Sequence, residues 1–536
     1  MTKKDRQSQT GNLILILVAM VLGVLIGLMF ASHPLNQSGQ SALQGKVGEV
    51  LDLVEARYVD HVDADSLSEH LLSVMLAELD PHSTYFSAVE TKHNDEMQRG
   101  SFEGVGLVIH YEDDTVYVGQ VLSDGPSANS GLLPGDMILT VGGDTVSGVD
   151  MSSDSVVARL RGPQGTSVDV AIRRHGAQQR TFTLRRGRVP QHSLPYFAML
   201  TDTVGYIRLA SFTGTSYQEF RSALTHLSRQ GMRHLVFDLR GNGGGSLEAA
   251  SNIARELLPS GALIVYTQGA HQRRHNTYAI PGGSYTKEGV TVMVDENSAS
   301  ASEVVAGALQ DNDRAAIVGR RTFGKGLVQG EFMLDDGSSV LLTVARYYTP
   351  SGRCIQRSYA KGTEEYYRDY FNQLIDEAYA DSMTVAIMDS TPYQTVGGRT
   401  VYGGGGIAPD VPMAYHKDST LVYYNRLAAN GLPSRVAFEY VRRHAAELTE
   451  RYPTSSEFKR NFHVDESLLQ RLVSEGEQHG VPCNARSLQL QRPFIKAMLK
   501  ANIGLALFGE SGFYDSYIPF DDDLQRVLDM LKHKKI

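Results

Sequence analysis

The chain lacks the cysteines and the excess of basic charge that characterise two large classes of protein. Its 536 residues include two cysteines, Cys354 and Cys483. Two cysteines so far apart cannot make a disulfide framework, although one bridge and two free thiols are both open. No cluster of histidine and cysteine has the spacing of a metal site, so we expect neither a metal nor another cofactor. The net charge of −9 argues against a nucleic-acid partner.

Only one stretch of the sequence is long and apolar enough to suggest a membrane span. Residues 13–31 are apolar and uncharged, and at about 1.5 Å per residue they nearly cross a ~30 Å hydrocarbon core. Basic residues precede them, which predicts a cytoplasmic tail at 1–11 and a transmembrane signal anchor at 12–31. A cleaved signal peptide is the competing interpretation, but no clean Ala-x-Ala site follows. Both interpretations predict that the bulk of the protein works on the periplasmic side of the inner membrane.

Residues 32–100 form a predicted helical region. Apolar residues recur at helical spacing from 42 to 79 and predict helices there, after a short polar linker. Pro81 interrupts the pattern because the residue before a proline disfavours helix. A further helix is predicted over 85–100.

Residues 101–190 have the signature of a small β-rich module with two helices, one of them predicted to begin at 126–128. A glycine-bounded loop, Gly104-Val105-Gly106-Leu107, leads into a strand, and Gly-Leu-Leu-Pro-Gly-Asp-Met-Ile follows at 131–138. These residues resemble a PDZ domain, and a plain β module with tight turns is the alternative. The resemblance implies capture of a peptide's C-terminus, with the loop's backbone N–H groups holding the carboxylate and the peptide adding as a strand.

Residues 191–415 alternate between predicted strands and helices, which indicates an α/β core. A buried strand at 234–239 is followed by Arg-Gly-Asn-Gly-Gly-Gly at 240–245. Glycines at the end of a strand can form a nest of N–H groups for an anion, either a cofactor phosphate or an oxyanion. No Gly-x-Gly-x-x-Gly fingerprint supports a dinucleotide.

Ser300 and Lys325 are the residues that most directly suggest chemistry. Ser300 lies between a predicted strand at 289–295 and a predicted helix at 302–310, where the Ala301 amide can face a developing oxyanion. Lys325 follows within a glycine-flanked turn. A lysine with a pKa near 10.4 must become neutral before it can act as a base, and burial among groups such as Val318 and Phe323 would lower its pKa.

These residues also allow two interpretations other than a Ser300–Lys325 pair. Gly319 to Lys325 fits most of a phosphate-binding P-loop, but Gly326 stands where that motif needs Ser or Thr, so we reject a nucleotide site. A Ser-His pair stays open because the chain has 17 histidines. His234 and His275 are the candidates that we expect in the core.

Several stretches together resemble the C-terminal processing peptidases, also called tail-specific proteases. They occur in that family's order over about residues 45–415 and are the PDZ-like module, Gly-Tyr-Ile-Arg at 205–208, Asp-Leu-Arg-Gly-Asn-Gly-Gly-Gly at 238–245, Ser-Ala-Ser-Ala-Ser-Glu at 298–303, Gly-Lys-Gly at 324–326, Tyr-Thr-Pro-Ser-Gly-Arg at 348–353 and Gly-Gly-Gly-Ile-Ala-Pro-Asp at 404–410.

The resemblance implies a multidomain α/β serine endopeptidase with a crotonase-like (ClpP-like) core at 191–415 and an inserted PDZ module. Ser300 matches the nucleophile, Lys325 the general base and Gln329 the residue that orients the lysine. The oxyanion hole would use Ala301 and either Gly243 or Gly244. The implied substrates are envelope proteins with exposed, apolar C-terminal tails.

Residues 416–536 are predicted to be mostly helical and carry no recognisable chemistry. The partners beyond substrates, whether a second copy of the chain or an adaptor protein, are not defined. A catalytically quiet PDZ scaffold is the competing function, whereas an acyl-CoA enzyme is disfavoured because CoA is scarce outside the cytoplasm.

Overall fold

The structure, a computed structural model, describes residues 42–174, 178–379, 391–414 and 421–536. The chain divides into two units, Met1–Met75 and Leu76–Ile536. Helix α1 (Ala42–Arg57) and most of α2 (Ala64–Ala77) belong to the first unit, as the apolar periodicity predicted. The predicted anchor at 12–31 lies outside the described residues. Among those that are described, no helix combines the length and the apolar character needed to cross a bilayer.

The second unit begins with a strand that the sequence did not predict. Residues expected to be helical from 85 onward instead form β1 (Thr84–Phe86) and then α3 (Ala88–Arg99). Ser87 separates them as an N-cap whose hydroxyl accepts the Glu90 amide while the Glu90 carboxylate accepts the Ser87 amide. This reciprocal capping box fixes the start of α3.

Among the described residues, the β-rich module that follows has a six-stranded antiparallel sheet, a separate two-stranded sheet of Ser101–Gly104 and Gly187–Pro190, and one helix, α4 (Ser153–Leu160). Its strands are β2 (Ser101–Gly104), β3 (Leu107–Glu112), β4 (Thr115–Val121), β5 (Met137–Val141), β6 (Asp144–Thr145), β7 (Ser167–Arg173), β8 (Gln179–Arg185) and β9 (Gly187–Pro190). The sheet order is β3-β4-β5-β7-β8, with β6 on β5, so β3 is an edge strand. An edge strand at this place leaves backbone groups available to an added peptide strand.

The predicted short helix beginning at residue 126 is wrong, because the chain forms turns there. Pro126 lacks an N–H, and the Ser127 amide donates across to the Val105 carbonyl instead of along its own segment. Gly125 and Pro126 pack directly against Gly106, where an added Cβ would lie 2.9 Å from the proline Cδ. The segment therefore supports the glycine loop.

In the described residues, the core contains two larger sheets, a two-stranded sheet formed by Pro392–Gln394 and Thr400–Tyr402, and four helices. The strands are β10 (Tyr196–Met199), β11 (Val204–Arg208), β12 (His234–Asp238), β13 (Leu263–Gln268), β14 (His275–Tyr278), β15 (Gly289–Val294), β16 (Ala316–Gly319), β17 (Leu327–Met333), β18 (Ser339–Tyr348), β19 (Pro392–Gln394), β20 (Thr400–Tyr402) and β21 (Val411–Pro412). The helices are α5 (Ser216–Arg229), α6 (Leu247–Leu257), α7 (Ala301–Asp311) and α8 (Thr363–Tyr379).

The larger core sheet has the order β10-β11-β12-β15-β16-β21 and is parallel from β11 onward. Its central strands, β12 and β15, are mostly apolar and buried beyond their first residue, as expected for a parallel sheet covered by helices. A second sheet has the order β1-β18-β13-β14, with β17 also paired to β18. Because β1 precedes the β-rich module and pairs with β18 beyond it, the module is inserted into the core.

Residues 421–536 form a helical module whose apolar core is built from residues 423–503, whereas Leu524 and Val527 near its end belong to an apolar cluster with Tyr206 of the larger core sheet. Its helices are α9 (Val422–Ala429), α10 (Leu432–Arg451), α11 (Ser455–Asn461), α12 (Glu466–Gln478), α13 (Ala485–Phe508), α14 (Glu510–Tyr517) and α15 (Asp522–Lys532). Apolar spacing predicts helices at 421–427, 434–451, 466–477 and 523–531, which correspond to α9, α10, α12 and α15, whereas α11, α13 and α14 were not predicted. Helix α13 contains Pro493, and an internal proline is ordinarily a stop signal.

Buried ion pairs join the helical module to the core. Arg240, at the end of β12, contacts Asp238 and Asp521 through Nη2, each at 2.6 Å. The Asp238 side chain is fully buried, and despite that burial the two arginines beside it, Arg240 and Arg208, hold the pKa of its carboxyl well below the usual range. The helical module is thus fastened next to the glycine loop that follows β12.

Candidate active site

Ser300 occupies a strained backbone position between β15 and α7. Its φ is 55° and its ψ is −112°, a backbone conformation that residues other than glycine seldom adopt. The Ser300 amide donates to Glu303 Oε2 at 2.8 Å, and its carbonyl accepts from the Tyr347 hydroxyl at 3.2 Å. These contacts hold the strained residue at the N-terminal end of α7.

The residues around Ser300 bind it to the glycine loop. Ser298 Oγ donates to the Leu239 carbonyl and Ser302 Oγ donates to the Asn242 carbonyl, both at 2.8 Å. The Ala299 amide also donates to the Asn242 carbonyl, at 3.0 Å. The alternating serines on either side of Ser300 are therefore structural and fix the distance between two loops.

The glycine loop lies directly against Ser300. A Cβ added to Gly244 would lie 2.8 Å from Ser300 Cβ and 3.0 Å from the Ala301 nitrogen. The Gly244 amide itself donates to Asn242 Oδ1 at 2.9 Å, so it is already occupied. Among the described residues, the amides of Ala301, Gly243 and Gly245 have no hydrogen-bond acceptor.

The direction of the Gly245 amide follows from its neighbours. Phe212 donates to the Gly244 carbonyl and accepts from the Ser246 amide, which forms a parallel bridge opposite Gly245. In such a bridge the groups of the facing residue point away from the partner strand. The Gly245 N–H therefore points away from Phe212, on an exposed glycine that adjoins Gly244.

Lys325 is held by a short chain of hydrogen bonds. Its Nζ donates to Gln329 Oε1 at 2.6 Å, and Gln329 Nε2 donates to the His82 carbonyl. Gln329 lies on β17 at a β-bulge, a feature that re-aims side chains. No hydrogen bond joins Lys325 Nζ to Ser300 Oγ in the described part of the chain, so the structure positions Lys325 with Gln329 rather than with Ser300.

Burial lowers the pKa of Lys325, although the carboxylates of Asp80 and Glu303 partly oppose the shift. The imidazole of His82 has its pKa lowered to about 4 by burial and by Lys325, so it carries no charge near pH 7. Its Nε2 lies 3.1 Å from the Tyr366 hydroxyl. The surroundings of Lys325 therefore disfavour its charged form.

Glu303 connects the backbone of Ser300 to the loop that carries Lys325. Its carboxylate is fully buried and accepts the Ser300 and Lys325 amides on Oε2, at 2.8 and 2.9 Å. Oε1 accepts the Thr322 hydroxyl and the Gly324 amide, at 2.5 and 2.8 Å. Burial raises the pKa of Glu303 to about 7 although these hydrogen bonds oppose the shift. One side chain thus fixes both predicted catalytic positions.

No role was predicted for Glu303, but its spacing from Ser300 was a usable signal. Ser-x-x-Glu before an apolar run is the pattern of a helix capping box. Here the glutamate does accept the Ser300 amide, as in that motif, and it also reaches across to the next loop. His82 and Asn242 were missed as well, because they act through backbone and side-chain contacts that span distant parts of the sequence.

The motif at 348–353 contacts the far end of α7. Arg353 Nη2 donates to Asp311 Oδ1 at 2.8 Å and to Gln310 Oε1 at 2.6 Å, and all three side chains are buried. Ser351 Oγ also donates to the Asp311 carboxylate. This network anchors the helix whose N-terminus carries Ser300.

Neither histidine considered for a Ser-His pair lies near Ser300. His234 is at the start of β12 and pairs with Gly289 at the start of β15, whereas Ser300 follows the end of β15. The expectation that His275 lies in the core is wrong, because it is exposed on the edge strand β14.

The described cysteines, Cys354 and Cys483, are both free thiols.

Comparison with known proteins identifies the family. The family model of peptidase family S41 matches residues 203–365, and that of the PDZ domain matches residues 94–173. A carboxy-terminal-processing protease of Bartonella bacilliformis is 33% identical over 60% of this chain and 74% of its own length. The carboxyl-terminal-processing protease of Synechocystis sp. is 39% identical over 53% of this chain and 67% of its own length.

The chain belongs to the carboxy-terminal processing proteases of peptidase family S41. It is therefore a serine-type peptidase with a PDZ domain. A solved photosystem II D1 C-terminal processing protease is 29% identical, with a TM-score of 0.34, and the match covers 70% of this chain and 94% of that one. Residues 423–509 of the protease match a family of unknown function.

The PDZ domain of the protease presents the glycine loop predicted to hold a carboxylate. Gly106 has a φ of +77°, and its carbonyl accepts the Leu122 amide at 3.1 Å. Leu107 begins the edge strand β3 directly after it. Gly104 pairs with Gly187 in the β2–β9 ladder, so that the loop starts at the base of the inserted module.

A cavity of about 860 Å³ extends from the PDZ domain to the glycine loop of the core. Leu107 and Val108 line it on the PDZ side, and Gly244 and Gly245 line it on the core side. Ser300, Lys325 and Gln329 are not among its lining residues. The cavity therefore reaches the loop that packs against Ser300 and stops short of the serine itself.

Proposed function

We propose that the protease captures the C-terminal tails of its substrate proteins with its PDZ domain and then cleaves these proteins, using Ser300 and Lys325 as a catalytic dyad. The observation that carries this proposal is the Glu303 carboxylate, which accepts the amides of both Ser300 and Lys325. A side chain that fixes two loops to each other in this way keeps a nucleophile and a base at a constant position relative to each other. The predicted crotonase-like (ClpP-like) identity of the core belongs to the same proposal.

In the proposed mechanism, Lys325 accepts the proton of Ser300 as the hydroxyl attacks the substrate carbonyl. Its lowered pKa supports this role, because only a neutral amine can accept a proton. Gln329 orients the amine through its Oε1. The missing Ser300–Lys325 hydrogen bond is compatible with the role, since catalytic hydrogen bonds often tighten only when substrate binds.

The oxyanion that forms on the substrate carbonyl would be stabilised by two backbone amides. Ala301 supplies one at the start of α7, where the helix dipole adds to the effect. For the second we favour Gly245 over the predicted Gly243 and Gly244. The Gly244 amide is occupied by Asn242, and Gly245 lines the cavity whereas Gly243 does not.

Cleavage of an unfolded protein with an apolar C-terminal tail tests the proposed function. The full chain should cleave it without added metal or cofactor, and Ser300→Ala should not. A substrate that ends in a carboxamide should be cleaved more slowly, because the PDZ loop then loses the carboxylate that it recognises. Failure of both proteins to cleave any substrate would favour the quiet PDZ scaffold instead.

Replacing Gly106 by valine is expected to weaken tail binding about tenfold and to slow cleavage of tailed substrates. A Cβ at this position would lie 2.9 Å from Pro126 Cδ and 3.0 Å from Gly125 Cα, so the loop must shift and its amides lose their direction. Fluorescence anisotropy with a labelled tail peptide measures the effect, where tenfold corresponds to about 1.4 kcal/mol.

Gly148→Val provides the matched control. Gly148 lies in the same domain and has the same φ of +77°, but an added Cβ would meet nothing within 4 Å. Both variants carry similar backbone strain, so only Gly106→Val should change the dissociation constant. Equal binding by the two variants would exclude the loop from tail capture.

We also propose that residues 12–31 anchor the protease in the inner membrane with its catalytic part in the periplasm. The support is the uncharged apolar run at 13–31 and the basic residues before it. Fractionation of cells that express the full chain should recover it with membranes after carbonate washing. Recovery of a shortened chain that lacks residues 1–31 would indicate a cleaved signal peptide instead.

A further inference from the structure

The helical module forms one wall of the cavity that joins the PDZ domain to the glycine loop. Four consecutive residues at the junction of α13 and α14, Phe508 to Ser511, line the cavity. The remaining walls come from the PDZ domain, from the core and from α3 with its flanks. A helical module without recognisable chemistry therefore contributes directly to the cavity that reaches the glycine loop beside Ser300.

The turn that supplies this wall is fixed in place by close packing. Helices α13 and α14 approach so closely that a Cβ on Gly504 would lie 2.5 Å from the Gly512 carbonyl oxygen. The ring of Phe508 lies 5.5 Å from that of Phe458, centroid to centroid, and so rests on the core of the module. A Cβ on Gly509 would lie 2.7 Å from Gln120 Nε2 on β4, which shows that the turn contacts the PDZ domain.

A second contact attaches the module to the same PDZ sheet. Phe438 of α10 packs against His110 and Tyr117, with ring centroids 4.0 and 5.8 Å apart. Arg442 Nη1 donates to the Tyr117 hydroxyl at 2.9 Å. Because Arg240 and Asp521 join the module to the core as well, the cavity wall is held from both sides.

The carboxylates that face the cavity differ in how they are neutralised. Asp124 forms an ion pair with His192, and Glu331 Oε1 accepts the Ser339 hydroxyl at 2.9 Å. The Glu510 carboxylate makes no ion pair or hydrogen bond with the described residues, and Glu510 is exposed at the cavity. Burial raises the pKa of this carboxyl, and the positive charge of Arg208 nearby opposes the shift without contacting it. The charge of Glu510 is thus available to a molecule that enters.

We infer that the turn at 508–511 recognises the substrate tail, with Phe508 contacting an apolar tail side chain and Glu510 disfavouring acidic ones. The inference rests on the proposed function, since it assumes that the tail occupies this cavity. It assigns the helical module a part in substrate selection. Apolar contact favours bulky tail residues, and a carboxylate without an ion-pair or hydrogen-bond partner among the described residues repels a like charge.

Matched tail peptides binding to the full-length Ser300→Ala chain test the inference without relying on cleavage. Two peptides differ only in Asp or Lys at one position near the C-terminus, and two others only in Leu or Ala. Glu510→Lys should lower the dissociation constant of the Asp peptide about threefold and raise that of the Lys peptide about threefold. The ratio of the two dissociation constants should therefore change roughly tenfold. Phe508→Ala should weaken the Leu peptide about tenfold and the Ala peptide much less.

Two variants of the same module serve as controls. Glu447→Lys makes the same charge change at an exposed site that does not line the cavity, and Leu490→Ala removes an exposed apolar side chain from α13. An unchanged Asp-to-Lys ratio in Glu510→Lys, or an equal change in Glu447→Lys, would overturn the inference. So would a loss in Phe508→Ala that is the same for both peptides. Absence of any binding to the Ser300→Ala chain would instead contradict the proposed tail capture.

Discussion

Replacing Lys325 by methionine is expected to lower kcat/KM on a tailed substrate by about 10³-fold or more, with the fold retained. Methionine keeps an unbranched apolar stem in the buried position and removes the amine that would accept the Ser300 proton. Gln329 would lose its hydrogen-bond donor but keep its own contact with the His82 carbonyl. Kinetic assays and circular dichroism of the variant measure the two effects.

The same substitution should change how stability depends on pH. Burial lowers the pKa of Lys325 in the folded protein, whereas the unfolded lysine titrates near its usual value of about 10.4. Between the two values the unfolded chain binds more protons, so the free energy of unfolding rises with pH. That contribution should be absent from Lys325→Met and retained in Lys361→Met, a change at an exposed lysine. Full activity in Lys325→Met would exclude the lysine as the base.

Replacing Glu303 by glutamine is expected to lower kcat about 10²-fold and the free energy of unfolding by about 2 kcal/mol. The carboxylate accepts four hydrogen bonds. In glutamine an NH2 group replaces one of the two oxygens, so its N–H groups would face two of the groups that now donate to Glu303. Ser300 and Lys325 would then lose their shared acceptor. Glu303 touches no substrate in this proposal, so it is a positioning residue.

Measurements across pH separate positioning from a general loss of stability. Burial raises the pKa of Glu303 to about 7 from its usual 4.5, so the folded state holds that proton longer than the unfolded chain. The stabilisation from this carboxyl is complete below pH 4.5 and is lost as pH rises through about 7. The difference in unfolding free energy between wild type and Glu303→Gln should therefore narrow over that range.

Glu248→Gln is the control for this experiment, because Glu248 is an exposed glutamate in the first turn of α6. It should change neither kcat nor stability appreciably. If Glu303→Gln retained wild-type kcat while losing stability, Glu303 would support the fold without positioning the dyad.

The sequence predicted the parts of this protein that depend on local patterns. Apolar runs predicted β12 and β15, and the pattern at 302–310 predicted α7. Glycine-rich stretches marked the loops that do lie beside Ser300 and in the PDZ domain. These features follow from short-range chemistry, namely backbone freedom at glycine and the periodicity of apolar side chains.

The features that the sequence did not reveal depend on contacts between distant segments. Strand β1 looked helical, yet it pairs with β18 more than 250 residues later. The Glu303 carboxylate, the Gln329–His82 contact and the wall formed by Phe508 all join parts of the chain that no local pattern relates. Tertiary packing, which overrides local propensity, decides such contacts.

The direct test of Ser300 as nucleophile is peptide mapping of the full chain after inactivation by a fluorophosphonate, which forms a covalent adduct with an activated serine. We predict one adduct, on Ser300, whose extent follows the loss of cleavage activity and which is strongly reduced in Lys325→Met. An adduct on another residue that accounts for the lost activity, with Ser300 unmodified, would contradict the proposed dyad.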